Sequence, residues 1–173
     1  LVQRAIANRA PLHGDLHQLP GEPAPHIDVV APIYARADTE GRPLGAVLLQ
    51  ADPNLFLYPL LQSWPTPTES GETLLVERRG DQVVYLNDLR HAENSAMKMT
   101  RSVSEPTLPA ALAVQGRQGI VYGHDHRRVP VVAALKPVPG TEWHMIAKVD
   151  QEEANKATKA ITWLIITVTI GGM

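Results

Sequence analysis

Apolar and β-branched runs recur along this chain, broken by clusters of proline, glycine and charged residues, a pattern of short strands more than of long helices. The clearest stretch is GIVYGHDHRRVPVVAALKPVPGTEWHMIAKVD, from Gly119 to Asp150. It predicts three successive antiparallel strands, Gly119 to Tyr122, Val129 to Leu135 and Trp143 to Val149. Further upstream, Ile27 to Tyr34 and Leu44 to Gln50 predict a hairpin around the turn residues Asp38-Thr39-Glu40-Gly41. Thr73 to Glu77 and Gln82 to Leu86 predict another around Arg79-Gly80-Asp81.

Helical signals fall between these runs. Val2, Ile6 and Ala10 share one helical face before Pro11. Asp52-Pro53 has the form of an N-cap followed by proline at the first helical position, so Pro53 to Leu61 is expected to be a short helix. Trp64-Pro65-Thr66-Pro67 is extended, because a residue before proline is pushed out of the α region. Asn87 to Gly116 is a longer excursion that ends in a helix from Leu108 to Gln115.

The last strand leads straight into Gln151-Glu152-Glu153, where Asp150 and Glu153 have the spacing of a capping box. From Ile161 the chain is uncharged up to Met173, and Trp163 lies near the polar boundary, which predicts the first part of a membrane-spanning helix. A buried core element is the other reading of that run. The start at Leu1 and the stop inside an apolar run are those expected of a piece of a longer chain.

These elements predict an α+β arrangement with a central five-stranded antiparallel sheet under helical cover. They divide the chain into residues 1–52, residues 53–150 and a terminal helix over residues 151–173. Composition narrows the function classes. With 44% hydrophobic and 20% charged residues the chain folds as a globular protein. A net charge of -2 and 5% aromatic residues offer neither the field nor the stacking surfaces for nucleic acid. The absence of cysteine rules out disulfides, thiolate metal sites and a cysteine nucleophile.

The run from Leu55 to Asp150, with LYPLLQSWPTP, ETLLVERRGDQVVYLNDLRH and the closing pattern from Trp143 through Lys148-Val149-Asp150, resembles the membrane-proximal module of double-Cache, PAS-like sensor regions. Ile27 to Asp52 resembles the closing hairpin of the membrane-distal module. The resemblance implies an extracytoplasmic region of a bacterial sensor histidine kinase or diguanylate cyclase in the inner membrane, a homodimer in the full receptor, with no catalysis of its own. It implies no cofactor. The family turn G-x-D-Y-R-G is here Gly123-His124-Asp125-His126-Arg127-Arg128, with histidine for tyrosine and arginine for the final glycine. The full amino-acid-binding signature of some double-Cache sensors is absent.

A PAS-like module offers a cavity between its sheet and the excursion that covers it. Arg90, whose planar fork suits a carboxylate, is the first candidate contact for an unidentified small-molecule ligand. Asp125 could meet an amine, Tyr85 or Tyr122 could close the site, and His91 adjoins Arg90. Arg90 and Asp125 could instead pair structurally. His124 and His126 flank Asp125 and raise the alternative of a metal-dependent hydrolase, although Asp125 would face the opposite way on a strand and spacing shows no third ligand. His13 and His17, four apart, would share a helix face and could hold a metal, but Gly14 and the following Pro/Gly-rich stretch oppose a helix, so they read as solvated loop histidines. A third alternative is a dimerisation module without a ligand.

Overall fold

A computed structural model describes residues 1–19, 21, 24–35, 41 and 43–156. The chain forms two compact units, Leu1–Leu60 and Leu61–Met173. In the smaller one, helix α1 (Val2–Asn8) packs on strand β2 (His26–Ile33), with Ala5 fully buried. Arg9 ends the helix in a left-handed conformation, φ 53°. Strands β1 (Leu12–His17), β2 and β3 (Gly45–Ala51) form an antiparallel sheet in that order. The β2–β3 hairpin is the one expected, although Asp38-Thr39-Glu40 lies outside the described residues. β1 corrects the loop reading of His13 and His17. It lacks β-branched residues and carries a register shift between His13 and Leu16, so its pattern is not that of a regular strand.

Asp52 caps a 3-10 turn, Pro53–Leu55, by accepting from the Asn54 amide at 2.8 Å, and helix α2 (Leu57–Gln62) follows. The larger unit is built on β4 (Glu72–Arg79), β5 (Gln82–Tyr85), β6 (Thr100–Ser102), β7 (Gly119–His124), β8 (Pro130–Pro137) and β9 (Trp143–Asp150). Their order is β6-β5-β4-β9-β8-β7, all antiparallel. The sheet thus has six strands where five were expected. The additional one, β6, is a three-residue piece of the excursion, too short to leave a period in the sequence.

One face of this sheet is covered by α3 (Pro109–Val114), whose Ala110, Ala111 and Ala113 are small enough to let the helix lie close. Leu74, Val76, Tyr85, Leu135 and Ile146 fill the space between. Each such side chain contributes roughly 1.5–3 kcal/mol on burial. The β7–β8 turn is an Asx turn: Asp125 Oδ1 accepts from the amides of Arg127 at 2.8 Å and Val129 at 3.2 Å. Arg128, where the resembled turn has glycine, takes the left-handed conformation with φ 65° that a glycine adopts without strain.

β9 continues without a break into a helix over residues 151–156. The expected capping box is not what holds it. Asp150 Oδ1 accepts from Arg127 Nη2 at 2.6 Å, the Asp150 amide donates to Ser70 Oγ at 3.0 Å, and both Glu153 oxygens reach residues 68–70. Long-range partners outcompete the local cap. Among the described residues no helix is long and apolar enough to cross a membrane, and the run from Ile161 lies outside them.

Candidate functional site

A cleft of about 410 Å³ opens at the start of β4. Leu61, Gln62 and Trp64 form one wall, Gly71, Glu72 and Thr73 the floor, and residues 87–90 with Glu93 the other wall. Asn87 fixes that second wall to the strand. Its Oδ1 accepts from the Leu75 amide at 2.7 Å and its Nδ2 donates to the carbonyls of Thr73 and Asp88. Gly71 is required here, because a Cβ would come within 2.7 Å of Thr68 Oγ1 and 3.0 Å of the Trp64 ring.

Arg90 projects into this cleft. Its Nη1 donates to the carbonyls of Thr68 at 3.1 Å and Glu69 at 2.8 Å, while its Nε and Nη2 bond no described residue. The guanidinium is therefore held by one nitrogen and keeps two donor nitrogens, Nε and Nη2, for a ligand. Asp88 and Glu93 line the same cleft, so it offers both an anion site and carboxylates for a cation.

Behind the floor runs a chain of buried charges. The Arg90 amide donates to Glu72 Oε1, Glu72 Oε2 lies 2.9 Å from Lys148 Nζ, and that ammonium donates to Asp125 Oδ2 at 2.9 Å. Arg127 joins Asp125 at 2.7 Å to Asp150 at 2.6 Å. Lys148 is 1% exposed, so its charge is matched by Glu72 and Asp125 instead of water. Burial opposes ionisation of Asp125, but Lys148 and Arg127 outweigh it and hold the carboxyl down at about 2.

The three residues before Gly71 are held from two sides. Arg90 takes the carbonyls of Thr68 and Glu69. Glu153, one turn into the helix after β9, takes the amides of Glu69 at 3.0 Å and Ser70 at 2.8 Å and the hydroxyls of Thr68 and Ser70. The Ser70 and Thr68 hydroxyls and these amides hold the Glu153 carboxyl down at about 2. One segment thus joins the cleft to the start of the helix.

The residues singled out from sequence do not share one cavity. Arg90 lines the cleft, whereas Asp125 is buried in the charge chain. Tyr85 is 1% exposed and part of the core that fills the expected space between sheet and α3, and burial pushes its phenol up. Tyr122 is on the open face of β7. His91 borders a shallow depression with Arg127, Asp150 and Glu153, and not the Arg90 cleft. His126 lies edge-on to Tyr85 with ring centroids 6.2 Å apart, and burial lowers its pKa. The donor atoms of His124, Asp125 and His126 do not come together, which removes the geometric basis for a hydrolytic metal at that turn. Glu72, Lys148 and Glu153 are the site residues that sequence reasoning missed. The signal for Lys148 was its place two residues after Ile146, on the same buried face of β9.

No protein-family model and no curated protein matches the chain. Solved structures do match in fold. Over 92% of this chain, the extracellular domain of the histidine kinase mmHK1S-Z3 superposes with a TM-score of 0.61 at 16% identity. The ligand-binding domain of the Pseudomonas aeruginosa PAO1 amino-acid chemoreceptor PctB, in complex with L-Arg, matches over 88% with a TM-score of 0.55 at 17% identity. The ligand-binding domain of Mlp24 with asparagine matches over 87% with a TM-score of 0.54 at 13% identity. This chain spans 55% to 59% of the length of those structures. The chain has the α+β, Cache-type fold of chemoreceptor and histidine-kinase extracellular ligand-binding domains.

Proposed function

We propose that this chain is the extracytoplasmic sensor part of a receptor, binding a small carboxylate-bearing molecule in the Arg90 cleft. The unit ending at Leu60 is the close of a membrane-distal module and the larger unit is the membrane-proximal one. The helix over residues 151–156 leads the chain towards the inner membrane from the periplasmic side and passes the signal to a histidine kinase or diguanylate cyclase, in a receptor that works as a homodimer. No catalytic step is assigned to this region.

The observation that carries the reading is the shared hold of Arg90 and Glu153 on residues 68–70. A carboxylate engaging the two open guanidinium nitrogens pulls on the side chain that positions this segment. The same segment anchors the helix. Ligand binding shifts such an equilibrium only by its differential affinity for the two states, typically about 1–3 kcal/mol. Asp88 and Glu93 allow an amine on the same molecule, and the matched ligand-binding domains of PctB and Mlp24 are bound to L-Arg and asparagine.

A thermal-shift and calorimetric screen of amino acids, small carboxylic acids and amines tests the assignment. A carboxylate-bearing compound is expected to stabilise the protein, and Arg90→Ala to weaken it by about 1.5–3 kcal/mol. Unchanged affinity in the folded variant would remove Arg90 from the site.

A further inference from the structure

In the smaller unit, three potential metal ligands from two strands meet on one sheet face: His17 on β1, and His26 and Asp28 on β2. His26 and Asp28 are two residues apart and so project the same way, and His17 lies directly opposite His26. The bulge is what brings His17 there. Had the pairing of Leu12 with Val30 continued unshifted, His17 would stand opposite Pro25 and face the other side of the sheet.

The spacing is that of ligands around a cation more than of hydrogen-bonded partners. His17 Nε2 is 3.5 Å from Asp28 Oδ2 and His26 Nε2 is 3.9 Å from Asp28 Oδ1. Both exceed the ~2.7–3.2 Å of an N–H···O bond. Asp28 Oδ1 is buried and bonds no described residue. Metal bonds of 2.0–2.1 Å in a tetrahedron put neighbouring donors about 3.3–3.4 Å apart, so small movements suffice to close these atoms on an ion. His17 Nδ1 meets the Asp15 carbonyl at 3.0 Å, which places the proton on Nδ1 and leaves the Nε2 lone pair towards Asp28. Gln50, opposite Asp28 on β3, brings its amide nitrogen 3.1 Å from His26 Nε2 and must swing aside when the ion enters. It is exposed and free of a covering strand on its outer edge.

We infer that His17, His26 and Asp28 form a binding site for a divalent transition cation of the zinc type. Two imidazoles and one carboxylate suit zinc, cobalt or nickel over calcium or magnesium, and the fourth position is left to water. Side-chain exposures of 36% for His17, 9% for His26 and 20% for Asp28 give the ion a path from solvent on the His17 side. The site clips β1 to β2 across the chain between them.

Titration of the metal-free full chain with zinc by calorimetry, and with cobalt by visible absorption, tests this. One tightly bound ion per chain is expected, with the absorption of four-coordinate cobalt and a rise in melting temperature. His17→Ala and Asp28→Asn should each weaken binding tenfold or more and abolish the melting shift, while His13→Ala and His91→Ala leave both unchanged. His17 is the more exposed imidazole, so its variant stays informative if His26→Ala fails to fold. Absence of binding, or equal affinity in His17→Ala and Asp28→Asn, overturns the site. Neither outcome depends on the Arg90 cleft.

Discussion

β3 and β9 reverse what hydropathy alone would say about their environments. β3 reads GAVLLQA, yet Leu48 is 50% and Leu49 is 60% exposed, whereas β9 carries a lysine that is 1% exposed. Position in the sheet accounts for the difference. β3 is an edge strand paired on one side to β2, while β9 lies between β4 and β8 and packs against α3. An inward position on a central strand is buried whatever occupies it, so a lysine there must bring its counter-charges with it.

The largest effect expected from this contrast is at Lys148. Lys148→Met leaves Glu72 and Asp125 buried without their ammonium and should cost about 3–5 kcal/mol in denaturant unfolding. Adding Glu72→Gln and Asp125→Asn should recover most of that loss. A cost of Lys148→Met no larger than that of a surface substitution would mean that the charges are not coupled as described.

The same chain of charges sets an acid limit. Asp125 titrates at about 2 in the folded protein against an ordinary 3.8, because its ion pairs outweigh its burial. A depressed carboxyl adds stability that is complete above pH 3.8 and disappears as the pH falls to about 2. Acid unfolding of wild type and Asp125→Asn checks this, with the difference between the two shrinking across that window. At the other extreme, Leu49→Ser on β3 should change stability by less than about 0.5 kcal/mol. A loss of several kcal/mol would show that β3 is covered in solution.

Much of the fold was legible because β-branched runs with turn residues between them leave few alternatives. The β4–β5 hairpin, the three strands from Gly119 and the α3 helix all fall where the pattern puts them. β1 was not legible, since Leu12-His-Gly-Asp-Leu-His has no β-branched residue and its bulge breaks the alternation. Arg90 could be found from its chemistry and its place at the start of the excursion. Its setting could not, because the cleft is made by Trp64 and Gly71, which are distant in sequence. Glu153 shows the same limit from the other direction: local spacing made it a cap, and hydroxyls more than 80 residues away took its oxygens instead.

The central claim is that residues 68–70 couple the cleft to the helix after β9. Trp64, in the cleft wall and beside Gly71, reports on it without any ligand. The measurement is the indole N–H resonance of Trp64 by NMR in wild type and Glu153→Gln, a change made on the helix and away from the cleft. The account predicts that the Trp64 resonance moves together with the amides of Glu69 and Ser70. If those two amides shift while Trp64 stays where it is in the wild type, the clamp is local and the cleft is not linked to the helix.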